Sequence, residues 1–128
     1  NGFDPAQNDC VAVEAMDYLD RMKGAFDLII LDPPAFAKHA EQRRKALTAY
    51  RHINRQAISK IASGGILFTF SCSQVVDRSL FTSTVMAAAI ESGRNVRILK
   101  HIGQPADHPL NIFQPEGEYL KGLVIYVE

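Results

Sequence analysis

The sequence predicts an α/β fold, a parallel sheet with helices on both faces and an antiparallel final strand pair. Three observations predict it. Leu28 to Leu31 is a run of four aliphatic residues, the kind of strand buried on both faces inside a parallel sheet. Strand-like and helix-like patterns alternate along the chain in the order β-α-β-α-β-α-β-loop-β, as in successive βαβ units. The last connection contains no helix, so the strands it joins are expected to run antiparallel.

Taken in order, Asn1 to Asp9 is polar and turn-rich. Val11-Ala12-Val13 is a short strand candidate ending at Glu14. Met16 to Lys23 reads as a helix, with Met16, Leu19 and Met22 at helical spacing and Gly24 as its stop. Phe26 to Leu31 is the next strand. It ends at Asp32-Pro33-Pro34, where two prolines forbid both further ladder bonding and an immediate helix. Pro34 to Ala40 is a loop. A helix is expected from about Glu41 to Ser63, with Leu47, Tyr50, Ala57, Ile58 and Ile61 on one face. Gly64-Gly65 should end it and feed the strand Ile66 to Phe70, which stops at Ser71-Cys72-Ser73. Asp77 is placed to cap a helix over Ser79 to Ser92, closed by Gly93. Strands near Val96 to His101 and over Leu120 to Val127 flank the loop Gly103 to Glu118.

With 128 residues the chain is one domain or part of one, and its composition, 47% hydrophobic and 22% charged, is that of a globular protein. Lys+Arg and Asp+Glu both number 14, so net charge gives no argument for a polyanionic partner and none against a local basic face. Two cysteines, Cys10 and Cys72, make no disulfide framework and fit a reduced, cytoplasmic setting. No apolar run reaches transmembrane length, so no membrane partner is expected. Ligands of open α/β sheets bind beyond the carboxyl ends of the strands. Asp32 stands there on a stiffened backbone, either as a site residue or as a solvated strand end. Cys72 stands at the next strand end; Cys10 is read as structural.

The chain resembles the C-terminal part of the catalytic domain of bacterial S-adenosylmethionine-dependent 23S ribosomal RNA 5-methylcytosine methyltransferases, within the class I methyltransferases. The resemblance covers essentially all of residues 1–128. It rests on Glu14 in VEAMDYL, on FDLIILDPPAFAK (26–38), on GGILFTFSCS (64–73), and on DHP (107–109) with PEGEYLKG (115–122). It implies S-adenosyl-L-methionine as cofactor, ribosomal RNA as partner, and no metal. Glu14 takes the place of the acidic residue beside the adenine amino group, where the family usually has Asp, and Ala15 adjoins it. Asp32 and Pro33 match the catalytic loop beside the methyl donor, and Cys72 matches the nucleophile. Pro34, Phe36, Lys38, His108 and Tyr119 are the matching candidates for substrate contact. The last loop should fold back over the catalytic mouth, with His108, Tyr119 and Lys121 contacting RNA or bracing it. The basic cluster Lys38, Arg43, Arg44 and Lys45 either binds phosphate or is a solvated helix start.

The chemistry agrees with that match. Carbon 5 of cytosine becomes nucleophilic once a thiolate has added at carbon 6, which requires a Cys beside the methyl donor and an unpaired base. RNA cytosine-5 enzymes of the other common type carry a second Cys after the loop proline; here that place is Pro34. Amino-group methyltransferases put an aromatic directly after the second proline; here residue 35 is Ala and the aromatic is Phe36. Two alternatives remain, methylation of another base such as guanine, or a non-catalytic binding domain that kept the fold. The complete family fold has strand order 3-2-1-4-5-7-6, and the resemblance places its first two strands and Gly-rich cofactor loop before Asn1. By itself the chain is then expected neither to bind the cofactor usefully nor to methylate. Its Phe26 strand should have an exposed edge, hidden by self-association, as a homodimer for instance, or by a rearranged first strand.

Overall fold

The computed structural model describes residue 2 and residues 4–128. Helix α1 spans Ala15–Arg21, and strand β1 is Phe26–Leu31. Helix α2 covers Arg43–Lys60, entered through a short 3₁₀ turn at Ala40–Gln42, and strand β2 follows as Ile61–Ser71. Helix α3 is Arg78–Ser92, strand β3 Val96–Ile102 and strand β4 Lys121–Val127. Asp77 caps α3 as its position in the sequence implied, its carboxylate accepting from the Leu80 N–H at 2.8 Å. Gly93 closes the helix in the left-handed region, φ 67°.

The sheet order is β1-β2-β4-β3. β1 and β2 are parallel, and β4 runs antiparallel to both β2 and β3. This is the 4-5-7-6 part of the expected order, and the final pair is antiparallel as predicted. The carboxyl ends of β1, β2 and β3 therefore share one end of the sheet with the start of β4.

Four expectations need correction. Val11–Val13 is not a strand, and both valines are more than half exposed; with no strand paired to the free edge of β1, there is no ladder for it to join. The rearranged strand that would have hidden that edge is likewise not formed. β1 is not buried on both faces: Leu31 is buried and Ile29 half-buried, but Leu28 is 51% and Ile30 67% exposed. The cause is that the three helices lie on one face of the sheet, not on two. Both β-α-β crossovers advance in the same direction along the sheet, and right-handed connections then put α2 and α3 on the same side. α1 joins that layer against α2, where the Lys60 ammonium donates to the Met22 carbonyl at 2.8 Å.

The third correction concerns α2, which stops at Lys60 instead of Ser63. Ile61 pairs with Phe26 and Ile66 with Leu28, so residues 62–65 bulge out between two rungs of the ladder. Gly64 supplies the positive φ, 85°, that the bulge needs. Fourth, Cys10 is exposed and contributes nothing to the core. The core lies between the helices and one sheet face, where Leu67, Leu123, Ile125 and Val127 meet Tyr50, Ile53, Phe81 and Val85.

Candidate active site

Two loops leave the shared end of the sheet. One begins at Asp32, directly after β1; the other contains Cys72, directly after β2. Their register is close, since Leu31 pairs with Thr69. Asp32 is exposed and Pro33 beside it is buried, so the proline anchors the turn that carries the carboxylate outward. Cys72 is half-buried between two buried serines.

The loops are bonded to each other. The Ser73 hydroxyl donates to the Ala37 carbonyl at 2.7 Å, with both residues buried. Phe36 packs edge-on against Tyr50 with ring centroids 4.7 Å apart, and Tyr50 packs in the same way on Phe81 at 5.6 Å. Tyr50 is thus the floor of the site, wholly buried on α2. Its hydroxyl sits beside the Ser71 side chain and the Phe36 backbone without a well-aligned hydrogen bond to either. Burial pushes the phenol above its ordinary value, Ser71 and Phe36 act the other way, and the charges of Cys72 and Asp32 raise it further. Both candidate catalytic groups therefore lie within electrostatic reach of one phenolic oxygen.

The third wall comes from β4. Lys121 lies opposite Ser71 in the ladder and is 6% exposed. Its ammonium donates to the Ser73 carbonyl and, at 2.6 Å, to the Tyr119 carbonyl. The loop before it is tied to the residues after Cys72: the Gln74 amide donates to the Glu116 carbonyl at 3.3 Å, and Arg78 pairs with Glu118 at 3.7 Å.

No protein-family model matches the chain. Ribosomal RNA large subunit methyltransferase I of Aeromonas hydrophila is 42% identical over 128 residues, 98% of this chain and 32% of the relative. The protein of the same name from Photobacterium profundum is 45% identical over 103 residues, 80% of this chain and 26% of its own length. The chain thus spans about a third or less of these relatives. Among solved structures, SMU.776, a candidate methyltransferase complexed with SAH, superposes with a TM-score of 0.67 at 22% identity. That match covers 87% of this chain and 28% of the other. The fold is that of the class I methyltransferases.

Within that methyltransferase fold the sequence-predicted residues fall into separate groups. Asp32, Pro33, Phe36 and Cys72 come together at the strand ends. Phe36 is half-buried with its ring engaged by Tyr50, so it shapes the loop more than it faces outward. Pro34 and Lys38 are exposed on the same loop. Glu14 and Ala15 stand at the start of α1. A groove of about 430 Å³ is lined by Ala15, Val11, Val13, Leu28 and Ile30, among others, and by neither Asp32 nor Cys72. It runs along the uncovered flank of β1 up to Leu31, the residue before Asp32. The PEGEYLKG stretch does return to the Cys72 loop. His108 does not: it is exposed and touches its neighbour Asp107 at 3.3 Å. The Tyr119 side chain is exposed, while its backbone is held through the Gln104 side chain at 3.2 Å and through Lys121.

Two residues of the site were not singled out as such by sequence, Ser73 and Tyr50; Lys121 was expected to contact RNA or brace the last loop, and it lies buried, holding the Ser73 and Tyr119 carbonyls. A signal existed for Lys121. Period-two alternation puts it on the same face as Leu123, Ile125 and Val127, so its burial was readable from the strand pattern. The bond of Ser73 to Ala37, 36 residues apart, had no such local signal.

Proposed function

We propose that this chain is the C-terminal portion of the catalytic domain of an S-adenosylmethionine-dependent RNA methyltransferase that forms 5-methylcytosine in 23S ribosomal RNA. The observation that carries the reading is the pairing of Asp32 and Cys72 at adjacent strand ends, with their loops joined by the Ser73–Ala37 bond. The names of the relatives matched over 98% of the chain support the ribosomal substrate, and with it a cytoplasmic place of action.

The residues fit the cofactor in part. Glu14 is the N-cap residue of α1, yet its carboxylate makes no capping bond and is exposed, which leaves it free to accept from an adenine amino group. Ala15, Asp32 and Pro33 complete the part of the cofactor site that this chain supplies. When bound, the cofactor provides an electrophilic methyl group.

Everything else is the work of the chain. The Cys72 thiolate adds to carbon 6 of an unstacked cytosine, forming the sulfur–carbon bond and turning carbon 5 into an enamine-like nucleophile. After carbon 5 takes the methyl group, a base removes the carbon 5 proton. The sulfur–carbon bond breaks, the 5,6 double bond returns and Cys72 leaves as thiolate. Asp32 accepts from the exocyclic amine and so orients the ring. Pro34, Lys38 and Tyr119 are the proposed RNA-facing residues around that ring, while Phe36 shapes the loop from below and His108 stands away from the Cys72 loop.

The test uses the full-length protein with RNA containing 5-fluorocytosine, in which the carbon 5 substituent cannot leave as a proton. A covalent adduct at Cys72, absent from Cys72→Ala, is the expected result. Methyl transfer without any adduct would assign the activity to another base, guanine for instance. Absence of transfer from labelled cofactor to ribosomal RNA would leave only a binding domain.

A further inference from the structure

Lys121 is a cation in a place that disfavours one. Moving an ammonium group out of water costs several kcal/mol unless charge or hydrogen bonds compensate. Among the described residues no carboxylate lies within 4 Å of its nitrogen. Two of its three N–H donors are taken by the Ser73 and Tyr119 carbonyls, which are neutral. Burial accordingly holds Lys121 below its ordinary value. Against that, Cys72 as thiolate exerts the strongest opposing effect, helped by Asp77 and Glu118 and opposed by Arg78.

The two carboxylates in this neighbourhood are already engaged. Asp77 caps α3 through the Leu80 N–H at 2.8 Å, and Glu118 pairs with Arg78 at 3.7 Å. Tyr50 below feels the charges of both Cys72 and Asp32. Cys72, one residue before the carbonyl that Lys121 holds, is left as the group whose negative charge the ammonium can answer.

We propose that Lys121 is the positioning residue of Cys72: its ammonium fixes the backbone just after the thiol and supplies the charge that favours the thiolate. The bearing of this on catalysis rests on Cys72 being the nucleophile. The charge effect itself does not.

The test is alkylation of Cys72 by iodoacetamide, followed from about pH 6 to about pH 10. A Cys10→Ser background removes the other, exposed thiol. Three variants separate charge from bracing. Lys121→Arg keeps charge and donors, Lys121→Gln keeps donors without charge, and Lys121→Met has neither. The expected result is alkylation about tenfold slower than wild type in both neutral variants near pH 7, equivalent to about 1.4 kcal/mol. The rates should converge at high pH, and Lys121→Arg should stay near wild type. Should Lys121→Met fail to fold, Lys121→Gln decides, because it keeps two N–H donors on one nitrogen without the charge. A Lys121→Gln profile that superimposes on wild type would reduce Lys121 to a brace and overturn the proposal. Neither RNA nor cofactor enters this measurement. Failure of the fluorocytosine adduct would therefore remove the cytosine-5 reading and leave this result standing.

Discussion

Ser73→Ala cuts the one side-chain hydrogen bond that, among the described residues, joins the Asp32 loop to the Cys72 loop. The lost contact is an O–H···O bond of 2.7 Å between residues that are 1% and 2% exposed. An average hydrogen bond contributes about 1 kcal/mol net, but a buried carbonyl left without a donor costs about 1–3 kcal/mol. With Ala37 only 2% exposed, its carbonyl gains no ready replacement donor, and the expected loss is about 2 kcal/mol. An unfolding entropy of about 2.1 cal/mol/K per residue makes that a fall in Tm of about 7 °C for a chain of this length. The assay is urea unfolding of wild type and variant at matched m-values, with thermal melts beside it. Ser71→Ala is the control. Its hydroxyl receives the Ser73 N–H at a long 3.4 Å, so it should lose less than half as much. A Ser73→Ala variant within about 0.5 kcal/mol of wild type would show that the loops are not held together by this bond. The Asp32 loop would then be held in place by the Phe36–Tyr50 packing.

Three other perturbations follow from the same contacts. Gly65→Ala places a Cβ 2.9 Å from the Asp27 carbonyl oxygen and 2.7 Å from Ile61 Cγ2; the backbone cannot yield there, and thermal melts should show a loss of about 1–3 kcal/mol. Ile30→Lys replaces a side chain that is 67% exposed on the uncovered side of β1; stability should hold within about 0.5 kcal/mol, while sedimentation should show any self-association of the chain to fall, and unchanged association would clear this edge of the contact. Lys121 titrates below its ordinary 10.5 in the fold, so between that depressed value and 10.5 the unfolded chain holds more protons and stability rises with pH, a contribution present above 10.5 and lost as pH falls; the difference in urea midpoint between wild type and Lys121→Met should climb through this window, and a flat difference would mean that the ammonium is solvated.

The elements were legible where local chemistry punctuates them. Pro33-Pro34 ends β1, Asp77 starts α3 and Gly93 stops it, each acting through its own backbone or side chain. The end of α2 was misread because Ile61 fits the apolar face of the helix as well as it fits a strand, and only its pairing with Phe26 decides. The site was legible in part for the same reason. Asp32 and Cys72 are polar residues that interrupt apolar runs, which is a local signal. Ser73 to Ala37 and Lys121 to Ser73 are contacts across 36 and 48 residues, and no pattern near either end announces them.

The misreading of β1 is the most informative one. Its residues alternate between two environments: Ile29 and Leu31 point to the helices, Leu28 and Ile30 to the open side. A strand with one wet face ordinarily alternates apolar with polar, yet both sets here are aliphatic. The same holds on the neighbouring strand, where Ile66, Phe68 and Phe70 are only half-buried on the face that no helix covers. Apolar side chains on both faces of two adjacent strands are the composition of a sheet meant to be covered twice, and the relatives that match this chain are about three times as long. The pattern that led to a wrong expectation for this chain is thus right for a sheet with a second helical layer.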